Sequence, residues 1–346
     1  MKDGWKHLYG VTDASESLNL SPIKTENQGG KVYAVTYKDL SAVVSNTPFI
    51  DFKTMRKDLL VQHLLNHQKI VEGVMDSCSI IPFKFGSLAH TEKEVERILI
   101  LGYGLFKSLL PWVSERVEFE LATTWDRERI FKVLYEEEPE IQSLQKMIES
   151  KPERDALFEK IKLGKLVRQS LLKKRLLFKD KILSQLHGCT ESQCDHDAID
   201  DLMIINTAFL LKKEMKNEFD RRVQQLDHDF SGEVFFKLIG PLPLYSFKCV
   251  EIEWSSGNRI RDALSLLGLE ENATAADLKT AYYRKGQCLH PDKIGCHSRV
   301  SPEFEKVVEA YRLLKQYYSL HRSLPEEGRI LLMEVRTKGS NDGGNT

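Results

Sequence analysis

The spacing of apolar residues changes period several times along the chain, and each change marks an element. Residues 5–12 (Trp-Lys-His-Leu-Tyr-Gly-Val-Thr) and 31–37 (Lys-Val-Tyr-Ala-Val-Thr-Tyr) are short, aromatic and β-branched, with Gly29-Gly30 in the polar stretch between them. They predict strands, and Leu40 to Ser45 continues the same sheet. Leu59, Leu60, Leu64, Ile70, Val71 and Val74 then recur at three- and four-residue steps, which predicts an amphipathic helix. Ser79 to Leu88 returns to alternation, and Pro82 argues for an edge position or a bulge. Thr91-x-x-Glu94 opens a second helix as a capping box, running to about Leu110. Val117, Phe119 and Leu121 alternate as one further strand. Residues 1–125 thus form an N-terminal α+β domain, with a sheet on one side and helices on the other.

From Asp126 to His187 no strand is predicted. Leu157, Ile161, Val167, Leu171, Leu172, Leu176, Leu177 and Leu183 predict helices, arranged as a long antiparallel pair, in a helical connecting region over 126–198. Asp201 to Leu211 predicts a buried strand, residues 212–229 a charged helix, and 233–240 and 245–254 two strands joined by Gly240-Pro241-Leu242-Pro243. These elements make a second α+β domain over 199–256, with Ser255 to Asn258 as linker. Beyond it the pattern is helical. Ala263 to Leu269 is a short apolar helix ended by Gly268, and Thr274-x-x-Asp277 caps the next, which carries Leu278, Ala281 and Tyr282 on one face. Ser301-Pro302 starts a third, with Phe304, Val307, Val308, Tyr311, Leu314 and Tyr318 as its apolar stripe. Residues 257–322 are an all-α module and 323–346 a tail. In that tail Arg329 to Val335 predicts a short docked strand or helix, and the polar, Gly-rich end is expected to be disordered.

Charge narrows the choice of partners. Fifty Lys and Arg against fifty-one Asp and Glu leave a net charge of -1, so nothing in bulk draws the chain to nucleic acid or an anionic membrane. The basic run from Lys160 to Lys181 reads as a solvated helix face whose apolar stripe is buried, because no series of aromatic residues interleaves for base stacking. No uncharged apolar run approaches the ~20 residues of a membrane-spanning helix. The first residues, Met1 to His7, lack the apolar core of a secretory signal, so a cytoplasmic location is expected. The six cysteines are then thiols.

Candidate metal ligands fail on spacing. Cys189-x4-Cys194-Asp195-His196 fits no standard zinc pattern, and Cys288, Cys296 and His297 near His290 lack a Cys-x2-Cys pair. His63 and His67 stand four apart on a helix, but no Glu follows the first, and His67 reads as a packed, hydrogen-bonded histidine. There is no phosphate loop, nucleophile elbow or dinucleotide turn. The expectation is a protein that is not an enzyme and holds no cofactor and no metal.

Leu8-Tyr9-Gly10-Val11, then His67 to Met75 leading to Ile81-Pro82-Phe83-Lys84-Phe85-Gly86, then Asn206-Thr207-Ala208-Phe209-Leu210, and last Gly240-Pro241-Leu242-Pro243-Leu244-Tyr245-Ser246-Phe247 together resemble the GvpL/GvpF family of gas vesicle proteins. The resemblance implies two modified ferredoxin-like α+β domains with a helical insert between them. It also implies an accessory role in building the gas vesicle shell, through contact with the small shell protein GvpA and other gas vesicle proteins. Such a subunit exposes apolar surface before assembly, which a binding partner would cover. Contact residues are not implied.

Leu289-His290-Pro291-Asp292-Lys293 between two helices, preceded by Ala281-Tyr282 and followed by Phe304-x-x-Val307-x-x-Ala310-Tyr311, resembles a J-domain of DnaJ-type co-chaperones. That implies docking to a DnaK-type ATPase, with Pro291 stiffening the loop and His290 and Asp292 making polar contacts. Lys279, Arg284 and Lys285 would steer association by charge. The chain departs from the family at Lys285-Gly286-Gln287-Cys288. There Lys285 replaces a buried apolar residue, and the mid-helix glycine costs about 1 kcal/mol. Three roles follow: a shell-protein binder that recruits a chaperone, a shell component without chaperone coupling, and a general J-type co-chaperone.

Overall fold

The computed structural model describes residues 4–13, 31–52, 54–289, 302–321 and 329–336. Strand β1 (Trp5–Thr12) is buried along nearly all its length, so it must lie inside a sheet. It pairs antiparallel with β3 (Leu40–Thr47), β4 (Ile80–Pro82) and β5 (Leu88–Ala89), and β2 (Val32–Tyr37) completes the order β2-β3-β1-β4. Pro82 takes the edge strand, where a missing N–H costs least. Helix α1 (Lys57–Met75) packs through His67, Ile70, Val71 and Val74, and α2 (Glu92–Ser114) through Val95, Ile98, Leu99, Phe106 and Leu110. The predicted capping box closes at the start of α2: Glu94 N–H donates to Thr91 Oγ1 at 3.2 Å, and His90 N–H to the Glu94 carboxylate at 2.6 Å.

A polar pair sits within this apolar packing. His7 Nε2 and His67 Nδ1 are hydrogen-bonded at 3.0 Å, His7 stacks on Tyr9, and Phe85 lies edge-on to His67. Burial holds His7 at a pKa of about 3, with His67 and His63 adding to the effect. Burial also holds His67 at about 4, although a backbone bond at Phe83 opposes it. Both rings are therefore neutral at pH 7, as one donor and one acceptor in a dry site require. His63 is half-buried with its ring against Phe52.

The second unit spans Glu115–Phe247. Its central strand is β6 (Arg116–Trp125), which pairs with β8 (Met203–Lys212) on one side and β9 (Val234–Leu242) on the other. Strand β7 (Ser192–Asp195) adds to β8, giving the order β7-β8-β6-β9. Between β6 and β7 run α3 (Arg127–Glu137), α4 (Pro139–Glu149) and the 30-residue α5 (Leu157–Leu186); α6 (Lys216–Asp229) follows β8. The core joins Phe119, Leu121, Trp125, Ile205, Phe209 and Leu211 of the sheet to Leu171, Ile182 and Leu186 of α5 and to Phe219, Val223 and Leu226 of α6.

Three sequence expectations change here. The strand at 117–121, expected in the N-terminal sheet, is the centre of the second one. The strand expected at 245–254 as the last of the second domain is instead β10 (Cys249–Ser255), which pairs with β11 (Ile330–Arg336) in the other unit. Alternation identifies a strand but not its neighbour, and these two exchange places. Residues Ser192–Asp195, within the stretch expected as a helical connecting region, form an edge strand in which only Cys194 is buried, too short a run to show a period.

Two glycines are required by position. At Gly10 a Cβ would lie 2.6 Å from the Ile81 carbonyl oxygen, inside the β1–β4 ladder. At Gly240, with φ of 150°, it would lie 2.5 Å from the Phe119 ring. The loop after Gly240 is held by Glu118, which is fully buried and accepts the Ser246 N–H at 2.8 Å. His196 Nε2 lies 3.5 Å from Ser246 Oγ.

Burial pushes the Glu118 carboxyl up to about 7, the Ser246 bonds partly offsetting it. The folded pKa exceeds the ordinary 4.5, so folding takes up a proton between these values and stability falls as pH rises through that interval. Glu118→Gln keeps the acceptor and removes the titration. Its melting temperature is expected to exceed that of the wild type above pH 7, with the gap closing towards pH 4.5 in thermal unfolding scans. A pH-independent gap would contradict this.

Candidate functional site

The C-terminal helices are built by strong local signals. Helix α7 (Gly257–Leu267) is capped by Ser256, whose hydroxyl accepts the Arg259 N–H at 3.3 Å, and it stops at Gly268, φ 68°. Helix α8 (Ala275–Leu289) opens with the predicted box: the Asp277 carboxylate accepts the Thr274 N–H at 2.9 Å and its hydroxyl at 2.7 Å. Asp277 N–H donates in return to Thr274 Oγ1 at 3.3 Å. Helix α9 (Pro302–Leu320) follows. Their shared core contains Ile260, Leu264 and Leu267 of α7, Leu278 and Ala281 of α8, and Val307, Ala310, Leu314 and Tyr317 of α9. The face of α9 is centred a little off the predicted stripe. Tyr311 and Tyr318 flank it, Tyr311 stacked on Tyr282 at 4.2 Å, while Tyr317 is the buried member.

Two further core members are Ile330 and Leu332 of β11. The residues of β11 point to two sides. On one face Ile330 and Leu332 join the helices, with Ser255 and Glu253 opposite them on β10. On the other, Met333 and Leu331 stand beside Ile252 and Trp254; Met333 lies against Gly102 of α2, and Trp254 Nε1 donates to the Leu88 carbonyl at 2.9 Å. At its start the Arg329 guanidinium sits over the rings of Trp5 and Trp254, 5.4 and 4.9 Å from their centroids, and 3.3 Å from the Glu94 carboxylate. The helices are thus enclosed between two paired strands. The sequence left this segment open between strand and helix; its signal was the unbroken apolar run from Ile330 to Met333, the pattern of a strand covered on both faces.

His290, Pro291 and Asp292 lie outside the described residues, in the segment joining α8 to α9. The three candidate cations all fall on α8. Lys279 is exposed with its ammonium 6.0 Å from the Tyr283 ring, Arg284 is exposed, and Lys285 is half-buried. At about 100° per residue, Lys279 and Arg284 are roughly 140° apart, so α8 does not gather them into one patch. Lys285 stands one turn beyond Ala281, on the core side, which accounts for its partial burial.

Among the described residues no helix is long and apolar enough to cross a membrane, and no group of three His, Cys, Asp or Glu side chains is placed to hold a metal. Cys189 Sγ instead donates to the Leu186 carbonyl, and the Asp195 carboxylate binds Lys179 and the Thr207 hydroxyl at 2.5 and 2.7 Å.

Comparison with known proteins separates the chain at the same place. The family model "Gas vesicle synthesis protein GvpL/GvpF" matches residues 6–248, and the DnaJ domain model matches 262–319. Gas vesicle protein F of Microcystis aeruginosa (strain PCC 7806) is 25% identical over 196 residues, covering 54% of this chain and 77% of the relative. The crystal structure of gas vesicle protein GvpF from Anabaena sp. PCC7120 superposes with a TM-score of 0.55 at 18% identity, over 70% of this chain and 97% of that one, a likeness of fold. Chaperone protein DnaJ 1 of Cutibacterium acnes is 44% identical over 54 residues, which is 16% of this chain and only 13% of that protein.

The Tyr317 hydroxyl has no hydrogen-bond partner among the described residues, and burial pushes its pKa up to about 12, Tyr318 and Glu271 adding to it. Removing the hydroxyl therefore removes an uncompensated polar group. Tyr317→Phe is expected to leave the melting temperature of the helical module unchanged or raised. Tyr317→Ala, which opens a cavity, is expected to lower stability by about 3–5 kcal/mol in denaturant titrations. Equal losses in both variants would contradict this packing.

Proposed function

Because the chain belongs to the GvpL/GvpF family of gas vesicle proteins and carries a DnaJ domain, we propose that it couples gas vesicle assembly to a DnaK-type chaperone. The family portion binds shell protein of the GvpA kind, and the J helices recruit the chaperone that keeps this apolar client soluble until it is built in. The protein works by binding, not by catalysis, in the cytoplasm and at the growing vesicle. The observation that carries the reading is the joining of the two modules. The GvpL/GvpF family model ends at residue 248 and the DnaJ domain model takes up at residue 262, so the J helices follow the family portion. They are set between β10 and β11, which pair with each other. Holding client and chaperone on one polypeptide raises their effective concentration to about the millimolar range.

His290 and Asp292 make the polar contacts to the chaperone, Pro291 stiffens their segment, and Lys279 and Arg284 add long-range attraction that salt weakens. Lys285, half-buried, contributes less. The reading is tested by single-turnover ATP hydrolysis on the host DnaK-type chaperone with the full-length chain. The wild type is expected to accelerate hydrolysis and His290→Gln to abolish the acceleration without changing the circular dichroism spectrum. Equal stimulation by both overturns the chaperone coupling.

A further inference from the structure

Helix α5 is apolar on more than one side, and the sheet covers only one of them. Leu171, Ile182 and Leu186 are buried, whereas Leu157, Ile161, Leu172 and Leu176 are 64%, 51%, 45% and 68% exposed. The expectation that the apolar stripe of this basic helix is buried therefore holds for one face and fails for the other. The exposed face has an order of its own. Leu157, Ile161, Lys165, Arg168, Leu172 and Leu176 follow at steps of four, four, three, four and four, which keeps them in a band about 100° wide and about 28 Å long on one face of the helix. That band is apolar at both ends and cationic in the middle.

Among the described residues, nothing engages the cations in the middle. Elsewhere on the helix Lys160 pairs with Glu153, Lys162 with Glu140, Lys174 with Glu137 and Lys179 with Asp195, and Arg175 donates to the carbonyls of Asp200 and Asp201. Lys165 and Arg168 have no ion-pair or hydrogen-bond partner among the described residues. The helix offers no carboxylate between Glu159 and Asp180 to oppose them.

We propose that this face of α5 is the docking surface for an amphipathic helix of another protein, apolar at its two ends and carrying carboxylates in its middle turns. Regular three- and four-residue spacing suits a second helix packed along the band, and the central cations demand opposite charge. A lipid surface fits worse. Helices that lie in membranes keep Lys and Arg on the polar face, whereas here inserting the leucines would bury both charges. A second copy of the chain fits worse too. Lys165 and Arg168 are placed symmetrically about the middle of the band, so two copies of α5, parallel or antiparallel, would oppose cation to cation. The inference concerns the partner's chemistry and stands whether or not the J helices stimulate a chaperone.

The test uses the full-length chain and a fluorescein-labelled synthetic helix with leucines at the same spacing and two central glutamates, followed by fluorescence anisotropy. A second peptide carries two central lysines. The wild type is expected to bind the glutamate peptide at least about tenfold more tightly than the lysine peptide. Lys165→Glu/Arg168→Glu, exposed positions that leave the fold intact, is expected to reverse that preference, and Leu172→Asp/Leu176→Asp to remove binding of both. No binding of the glutamate peptide, or an unreversed preference, overturns the proposal. So does sedimentation with phosphatidylglycerol vesicles that the leucine variant loses, or a stripe-dependent dimer in analytical ultracentrifugation.

Discussion

The seven-residue ladder from Cys249↔Arg336 to Ser255↔Ile330 joins chain segments separated by the whole helical module, and the arrangement of the C-terminal half depends on it. A strand turns successive side chains to opposite faces, so β11 contributes Ile330 and Leu332 to the helices and Leu331 and Met333 to the surface shared with α2 and β10. All four are at least 96% buried, and each contributes on the order of 1.5–3 kcal/mol. Arg329 fixes the start of the strand between two tryptophan rings and Glu94, and its carbonyl accepts from Arg97 at 3.0 Å. The J helices are therefore an insertion in a hairpin, held at both ends, and not a bead on a linker. A partner docked on them would be presented from a fixed root.

Element type was largely legible in the sequence, because it is set by neighbours in the chain. The boxes Thr91/Glu94 and Thr274/Asp277 close as read, Gly268 ends its helix in the left-handed region, and Pro82 lies on an edge. Pairing was less legible. Strands β6 and β10 alternate equally well, and nothing local states that the first pairs with β8 and β9 and the second with β11. Long-range choice is made by complementary faces, which a single chain's periodicity does not encode. Strand β7, short and mostly exposed, carried no period to read.

The motifs that carried the family resemblance turn out to be scaffold. Gly10 lets β4 approach β1, His67 is hydrogen-bonded to His7 in the core, Phe209 packs on Phe219, and Ser246 is held by the buried Glu118. This explains why those segments point to a fold and say little about contacts. Surfaces that bind others are under different constraints, and in α5 they show up as a departure: leucines left uncovered beside cations that have no partner among the described residues. The candidate segment at His290 was legible only as a resemblance, and it lies outside the described residues.

The pairing of Ser255 with Ile330 allows a direct measurement of the central claim that the J helices serve gas vesicle assembly. Residues 256–329 are replaced by an Asn-Gly turn, which closes the β10–β11 hairpin, and Ile330 and Leu332 are changed to Thr to suit the newly open face. The excised protein is produced in the gas-vesicle-forming host in place of the wild type, and floating vesicles and insoluble shell protein are quantified together. The expected result is a folded protein, fewer vesicles and more shell protein in the pellet. Vesicle yield and shell-protein solubility equal to those of the wild type would contradict it.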